Sequence, residues 1–411
     1  MPPEGKGCSS SRSISARLAP GLQSTHRVQL VPAPFHAEGS SSMASHSIAR
    51  APSNVVGENH AASRPGRRVV AIWLFISFVL IVEMFGIGAY VQNDNAGLSI
   101  MAWQPVSGVI PPLTHAAWER MFALYKTIPQ YKLLNSHMDL AGFKAIFWPE
   151  WIHRLWGRLL GIDFGVPLVW FWWTGRLERR IVPWLVLLFV LGGVQGAIGW
   201  WMVASGFHAG YTEVSVFRLS IHYCFATALA IAVFVTALTV LKPAEERLPP
   251  DQAFRFRWAR RLAVVSIVSI VIAIVAGTFL SGTHAYTIDN SFPLMQGRWV
   301  PPDYMAMHPV WRNFFLNKAA TQFDHRLLGT LAALVVLGGV AAAVRIGDLP
   351  PRARDAFLVL ACLLFLQYML GVTTLVTKML DIGIVHQMNA VLLLASAVWA
   401  WFELRGRPEG A

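Results

Sequence analysis

The chain has 411 residues, of which 55% are hydrophobic and 14% charged, with a formal net charge of +12 at pH 7. This composition excludes an ordinary soluble domain and is typical of a protein with several membrane spans. The positive charge does not indicate nucleic-acid binding, because Lys and Arg concentrate in alternate segments between apolar runs, which is the positive-inside pattern.

The N-terminal segment differs in composition from the rest of the chain. Residues 1–63 are rich in Ser, Pro, Ala and His and contain no sustained apolar run, which predicts a disordered N-terminal extension. The segment is poor in acidic residues and has scattered Arg, so a mitochondrial presequence and a loose bacterial extension both remain open. The fold is therefore predicted from residue 64 onward.

Eight apolar runs follow, each about 20 residues long, which is the length that a helix needs to cross a bilayer. If the chain starts inside, the Lys- and Arg-rich segments all fall on one side, so both termini are predicted to be cytoplasmic. We expect a multi-pass, all-α protein of the bacterial inner membrane, with the mitochondrial inner membrane as the alternative. The runs are 69–91, 151–173, 181–203, 219–241, 262–282, 325–344, 356–377 and 384–402.

Two long outer loops, residues 92–149 and 283–324, each precede a polar helix start in an otherwise apolar span. The first start reads E-W-I-H-R-L-W-G-R-L-L-G (residues 150–161), and the second reads Q-F-D-H-R-L-L-G-T-L-A-A (residues 322–333). Loops of this length are usually functional. Residues 116–126 of the first loop predict a short amphipathic helix on the membrane surface.

The agreement of motif, loop length and span order indicates a tandem repeat. An even number of spans per half leaves both halves in the same orientation. We therefore predict eight transmembrane helices arranged as two four-helix bundles related by pseudo-two-fold symmetry. The predicted division is a first half at 64–241, a cytoplasmic linker at 242–261, a second half at 262–403 and a short tail at 404–411.

Four of the 13 histidines, His153, His222, His325 and His386, lie near the starts of even-numbered spans. These spans all run from outside to inside, so the four side chains are expected at similar depth near the outer face. Ionisable groups within spans are costly and are functional candidates. The plainer interpretation is a histidine hydrogen-bonded to a neighbouring helix, but the matched depth of four histidines favours function.

Small residues follow each of these histidines at the i, i+4 spacing of one helix face. Close helix packing would explain such patches, but so would a wide, flat ligand held by the imidazoles. Haem iron fits two facing histidines in a bundle. Zinc fits less well, because no Cys or carboxylate completes a ligand set at that depth. The small residues are Gly157 and Gly161, Ala226 and Ala230, Gly329 and Ala333, and Ala390.

The two copies of the motif differ three residues before the histidine, where the first has Glu150 and the second has Gln322. Glutamate can exchange a proton or orient water, whereas glutamine can only hydrogen-bond. The first site is therefore predicted to do chemistry and the second to hold a permanent cofactor. The alternatives for Glu150 are a charge that favours the helix dipole or a pair with Arg154. Arg154 and Arg326 suit haem propionates, although interfacial snorkelling would place them equally well.

Ordered motifs extend over roughly residues 80–400. They are G-L-S (97–99), W-Q-P-V-S-G-V-I-P-P (103–112), E-W-I-H-R-L-W-G-R (150–158), Q-G-A-I-G-W-W-M-V-A-S-G (195–206), R-L-S-I-H (218–222), N-S-F-P-L-M (290–295), F-D-H-R-L-L-G (323–329) and V-H-Q-M-N-A (385–390). With these motifs the chain resembles the haem A synthase family. The three cysteines, Cys8, Cys224 and Cys362, leave no pair in an outer loop, so the resemblance is to the alphaproteobacterial and mitochondrial class.

The resemblance implies an enzyme that converts haem O to haem A for cytochrome c oxidase. The methyl group at ring position 8 would be oxidised to a formyl group by successive hydroxylations, an oxidoreductase reaction on a CH or CH₂ group. It also implies haem b as cofactor and haem O synthase as partner, with a membrane quinone or another electron acceptor. The implied site residues are Glu150, His153 and His222 at the substrate haem, and His325, His386, Arg326 and Gly329 at haem b, the histidines being the iron ligands.

Two other functions remain open from the sequence. One is a bis-histidine cytochrome b for quinone-linked electron transfer, and the other is a non-catalytic haem carrier. Bis-histidine ligation suits electron transfer, but an electron-transfer protein has no need of a carboxylate at only one haem. The contrast between Glu150 and Gln322 therefore favours the enzyme. A lipid bilayer is an expected partner, and a homo-oligomer stays open.

One stretch departs from the family pattern. After the first span the family usually has Gly-Gly-x-Thr-Arg-Leu-Thr-x-Ser-Gly-Leu-Ser, and here the residues from Gly88 to Ser99 read G-A-Y-V-Q-N-D-N-A-G-L-S. The usual arginine is Gln92, and the usual threonines are Val91 and Asp94. The stretch at 91–96 therefore predicts a difference in how the substrate is bound.

Overall fold

The computed structural model describes residues 65–242 and 246–408, and the predicted N-terminal extension lies outside them. Regular structure in these ranges is helical apart from one short parallel pair of strands, β1 (Glu246–Leu248) and β2 (Gly406–Pro408). The predicted all-α class is confirmed. The helices are α1 (Pro65–Asn93), α2 (His115–Tyr125), α3 (Pro129–Leu133), α4 (Leu140–Trp173), α5 (Val182–Ala204), α6 (Val216–Leu241), α7 (Pro250–Gly282), α8 (Asn313–Leu316), α9 (Lys318–Val344), α10 (Pro351–Thr377) and α11 (Leu380–Glu403).

Seven helices in the described ranges are long and apolar enough to cross a membrane. The helix α4 has 34 residues, but Glu150, Arg154, Arg158 and Asp163 interrupt its apolar sequence. The eight-span arrangement, with α4 as the eighth span, therefore stays a prediction. The seven segments are Gly66–Asn93, Val182–Phe207, Val216–Leu241, Asp251–Gly282, Lys318–Val344, Pro351–Thr377 and Leu380–Glu403.

Two helices that carry the polar motifs begin earlier than the predicted spans, which moves these motifs from helix starts into helix interiors. The helix α4 begins at Leu140, where the Asp139 side chain caps its first turn by accepting a backbone N–H at 2.8 Å. The helix α9 begins at Lys318 and is capped by the side chain of Asn317. Helix α7 begins inside the predicted linker at 242–261, so that segment is partly helical.

Small residues bring the two halves together. The seam is formed by α1 and α6 of the first half against α7 and α11 of the second. Apolar side chains gain little by leaving lipid, so close packing between small residues is what stabilises contacts between membrane helices. At the seam, the sulfur of Met388 lies 2.7 Å from the position that a Cβ on Gly86 would occupy. Only glycine leaves room for that contact.

Aromatic residues hold the first outer loop against the start of α4. The rings of Phe122 in α2 and Phe143 in α4 stack with centres 5.2 Å apart, and Phe147 is buried beside them. The short helix predicted at 116–126 is confirmed by α2. This cluster fixes the turn of α4 that directly precedes Glu150.

Candidate functional site

The second half brings two of the predicted histidine rings next to each other. The ring centres of His325 in α9 and His386 in α11 are 6.2 Å apart, with their planes at 88°. A metal–imidazole nitrogen bond is about 2 Å long, so this separation leaves room for one metal atom between the rings. Two imidazoles on opposite sides of one iron are a known mode of haem ligation.

Both of these rings are oriented by backbone carbonyls. His325 Nδ1 lies 3.2 Å from the carbonyl oxygen of Ala273, and His386 Nδ1 lies 3.1 Å from that of Gln367. A carbonyl can only accept, so each Nδ1 carries the proton and each Nε2 is left as the iron ligand. The side-chain amide of Gln367 also lies 3.2 Å from His386 Nε2, which it can approach only as a donor.

The predicted clearance below the histidines is present in both halves. A Cβ added to Gly329, or to Gly161, would meet no atom within 4 Å, and one added to Gly157 would first meet the Met84 methyl at 3.7 Å. The Gly329 backbone and the Arg326 side chain line one cavity together with His325 and His386. Open space thus lies along the helix faces below His153 and His325, whereas Ala230, below His222, is fully buried in the core.

The first-half histidines are held differently. His153 Nδ1 is buried and has no hydrogen-bond partner in the described part of the chain. His222 Nδ1 lies 3.2 Å from the side-chain amide nitrogen of Gln195, which also donates to the His222 carbonyl at 3.0 Å. The close ring pair seen for His325 and His386 has no counterpart here among the described ring contacts.

Glu150 is buried, with 3% of its surface exposed. Its carboxylate accepts a 2.6 Å hydrogen bond from Arg154 Nε, so the predicted alternative of a pair with Arg154 is present. The two terminal nitrogens of Arg154 donate to the carbonyls of Ile100 at 2.6 Å and Ala102 at 3.0 Å. One guanidinium thus joins the carboxylate of α4 to the first outer loop.

The second half has the corresponding arginine but a different carboxylate. Arg326 donates to the carbonyls of Ser291 at 2.8 Å and Asp289 at 3.1 Å, and the Gln322 amide donates to the same Asp289 carbonyl at 2.9 Å. The Asp289 side chain accepts the backbone N–H groups of Ser291 and Gln296. In this half the acidic residue stabilises a turn of the loop, and Gln322 occupies the helix position that corresponds to Glu150.

Unpartnered polar atoms test whether the sites fit a propionate-bearing ring. In the described residues, Arg326 Nε and Gln322 Oε1 are buried without a hydrogen bond beside the second cavity. Arg158 Nη1 is likewise unpartnered in the first half, although its other nitrogens donate to the carbonyls of Gln104 and Pro105. The two arginine nitrogens are donors that suit carboxylates, whereas Gln322 Oε1 is an acceptor. With the histidine pair and the glycine clearance, the residues present fit haem.

The stretch at 91–96, which departs from the family pattern, contributes a residue to the second-half cavity. Gln92, at the family's usual arginine position, lines the cavity that contains His325 and His386. Its side-chain oxygen accepts a 3.0 Å hydrogen bond from Ser281 of α7. The substitution therefore lies at the seam between the halves, beside the predicted cofactor cavity.

Sequence reasoning missed the residues that orient the rings. Gln195 and Gln367 each stand four residues before a glycine, in Q-G-A-I-G and Q-Y-M-L-G. The recurrence of Q-x-x-x-G at matching places in both halves is a signal that could have found them. The loop carbonyls that accept hydrogen bonds from the arginines cannot be identified from the sequence, because every residue type has a backbone carbonyl.

Comparison with known proteins agrees with this geometry. The family model COX15-CtaA, described as cytochrome oxidase assembly protein, matches residues 71–398. The chain is 80% identical over 367 residues to Heme A synthase 2 of Acidiphilium cryptum, covering 89% of this chain and 100% of that protein. It is 44% identical over 353 residues to Heme A synthase of Granulibacter bethesdensis, covering 85% and 91%. Heme A synthase of Brucella ovis is 38% identical over 354 residues, covering 85% and 96%.

Proposed function

Because the chain belongs to the COX15-CtaA family and, within it, to the haem A synthases, we propose that it converts haem O to haem A for cytochrome c oxidase. Oxidation of the methyl group at ring position 8 to a formyl group, by successive hydroxylations, is a four-electron process. It therefore requires an electron acceptor, for which we propose a membrane quinone or another acceptor of similar potential. The comparisons lend no support to an electron-transfer cytochrome or a haem carrier.

The observation that carries this proposal is a contrast between two sites that share one sequence motif. In one half a buried carboxylate, Glu150, stands one helical turn before His153, and in the other an amide, Gln322, stands one turn before His325. A carboxylate can take up and return a proton, whereas an amide cannot. The asymmetry supports chemistry in the first half and a resident cofactor in the second.

In the proposed arrangement, His325 and His386 hold haem b, with Gly329 giving clearance and Arg326 facing a propionate. When bound, this haem supplies a site for one-electron transfer. His153 and His222 hold the substrate haem. Glu150 accepts a proton at its carboxylate beside the reacting edge of the ring.

Arg154 has a positioning role in this proposal. Its hydrogen bond to Glu150 directs the carboxylate, and its bonds to the carbonyls of Ile100 and Ala102 attach the first outer loop beside it. The protein groups thus bind, orient and exchange protons, while the haems carry the electrons.

The proposal includes the finer architecture. The chain would cross a bacterial inner membrane eight times, as two four-helix bundles with pseudo-two-fold symmetry and both termini cytoplasmic. The mitochondrial inner membrane is the alternative location. Haem O synthase is the proposed source of substrate, and self-association into a homo-oligomer remains compatible with these features.

Expression beside a haem O synthase, in a host that makes no haem A, tests the function. Haem A is expected in the acid–acetone extract, identified by chromatography and mass. If the purified protein is folded and carries haem b but only haem O accumulates, the enzymatic proposal is wrong. A host expressing haem O synthase alone is the control.

A further inference from the structure

Each of the four histidines packs against a glycine of the transmembrane helix before it. A Cβ built on these glycines would lie 2.9–3.1 Å from the Cε1 atom of the ring, well inside the 3.4 Å at which ordinary contact begins. Any larger residue would therefore push the imidazole away. The pairs are Gly88 with His153, Gly199 with His222, Gly277 with His325, and Gly371 with His386.

In the second half, the glycine also exposes a carbonyl to the ring. The residue four positions before a helical residue lies on the same face, one turn away. Ala273 stands four positions before Gly277, and Gln367 four before Gly371. Their carbonyls are the ones that accept from His325 Nδ1 and His386 Nδ1. We call this pair of features, a glycine and the carbonyl four residues before it, an imidazole notch.

The first-half notches have the same shape but lack the hydrogen bond. The corresponding carbonyls belong to Met84, before Gly88, and Gln195, before Gly199. His153 Nδ1 has no partner in the described residues. The side-chain amide nitrogen of Gln195 lies 3.2 Å from His222 Nδ1 and 3.5 Å from His222 Nε2, so a donor, and not a carbonyl, faces this ring.

We propose that the four notch glycines are positioning residues, and that the state of the notch separates a permanent haem site from an exchangeable one. A carbonyl on Nδ1 fixes the ring and its tautomer and makes Nε2 a stronger ligand, and losing such a partner weakens metal binding by about 10- to 100-fold. Complete notches therefore retain haem b. Incomplete notches let the first-half rings turn and release their haem. Only the assignment of substrate to the first half rests on the proposed function.

The test compares alanine at notch glycines with alanine at a glycine that touches nothing. In Gly277→Ala and Gly371→Ala, haem b per protein should fall at least about tenfold, measured as the pyridine haemochrome of the purified full chain. The small amount retained should show shifted low-spin signals in electron paramagnetic resonance. Gly338→Ala in α9, where an added Cβ meets nothing within 4 Å, should retain haem b.

For the first-half variants we expect the opposite effect on haem b content. Gly88→Ala and Gly199→Ala should retain haem b but bind added haem O more weakly than the wild type, because the added methyl group displaces the ring. Normal haem b content in both second-half variants would overturn the proposal. Equal loss of haem b in all four variants would overturn the distinction between the halves. Both readouts are independent of haem A formation, so failure of the proposed function would be seen separately.

A second variant separates ring positioning from helix packing. In His325→Gly supplied with free imidazole, the ring is no longer tied to α9 and can shift by the few tenths of an ångström that the new methyl demands. Adding Gly277→Ala to this background should then leave the imidazole-dependent haem b spectrum in place. If the spectrum is lost there as well, Gly277 serves helix packing and the notch has no positioning role.

Discussion

In both halves an arginine follows the first histidine and donates to carbonyls of the preceding outer loop, but the acid beside it lies in a different element. In the first half that acid is Glu150, on the helix and bonded to Arg154. In the second half it is Asp289, in the loop and bonded to backbone N–H groups, while Gln322 takes the place on the helix. The loop attachment is shared, and the position of the carboxylate is not.

This difference determines what the arginine of each half connects. Arg154 bonds at once to Glu150 and to the carbonyls of Ile100 and Ala102. A displacement of the first outer loop would therefore break the contacts that orient the carboxylate. In the second half, Arg326 and Gln322 both bond to the Asp289 carbonyl, and the helix carboxylate, Asp324, accepts its 2.8 Å hydrogen bond from Tyr304 of the loop and not from the arginine. Both sites are thus attached to the loop before them, but only in the first does the same arginine also hold the helix carboxylate.

Removing one histidine ligand from each half should give the largest difference between the two sites. His325→Ala is expected to lose essentially all haem b, because a single remaining imidazole cannot hold the iron from both sides. His153→Ala should retain haem b and lose haem A formation. Absorbance spectra of the purified proteins and pigment extracts from cells check both outcomes. Unchanged haem b in His325→Ala would refute the assignment of the halves.

Exchanging the acid and the amide tests the chemical difference alone. Glu150→Gln should lower haem A formation by at least about 100-fold, the lower end of what general acid–base catalysis contributes, with the haem b spectrum intact. Gln322→Glu is the matched control in the other half and should not restore activity to Glu150→Gln. Loss of haem b in Glu150→Gln would instead make this carboxylate structural.

The sequence was sufficient for the features that depend on side-chain type and spacing. The histidine pair His325 and His386, the short helix α2 and the arginines that follow His153 and His325 all follow from residue patterns. The start of α4 at Leu140 was missed because the apolar run does not begin until residue 151, whereas Asp139 caps the helix several turns earlier. Residues 140–149 are mostly apolar, but Pro149 and Glu150 separate them from the later run, and a proline usually indicates a helix boundary rather than a helix interior.

Backbone partners explain most of what the sequence could not reveal. Arg154 and Arg326 were expected at haem propionates, and the structure shows that most of their nitrogens donate to loop carbonyls. Similarly, the role of Gly277 depends on a ring from another helix, and a single glycine within an apolar run carries no mark of that contact. Such pairings become visible only once the helices are placed side by side.

The arginine attachments should be separable by amide hydrogen exchange. Arg154→Ala removes two hydrogen bonds to loop carbonyls, each of which, with a charged donor, contributes about 1.5–3 kcal/mol. Exchange in residues 96–105 should therefore accelerate at least about tenfold. Arg326→Ala should accelerate exchange in residues 289–298 by a similar factor and leave 96–105 unchanged. Identical exchange in Arg154→Ala and the wild type would show that the aromatic cluster alone holds the first loop.

The smallest expected effect concerns the loop carboxylate. Burial by itself would raise the pKa of Asp289, but hydrogen bonds from Ser291 and Gln296, with Arg326 nearby, hold this pKa below its ordinary value of 3.8. A group whose pKa is lower in the folded state stabilises the fold fully above its unfolded pKa, and loses this contribution as pH falls through the folded value. The stabilisation by Asp289 should therefore be complete at neutral pH and disappear in acid.

Asp289→Asn cannot ionise and should lack that contribution at every pH. The unfolding temperature of the variant should lie about 2–4 °C below that of the wild type at neutral pH, the shift that 1 kcal/mol gives in a medium-sized domain. The gap should stay constant down to about pH 5 and close below 3.8. Thermal unfolding in detergent from pH 7 to pH 3 measures it, with Glu150→Gln as the first-half comparison. A difference in unfolding temperature that widens in acid would contradict the lowered pKa of Asp289. It would also contradict the stabilisation of the second loop by this carboxylate.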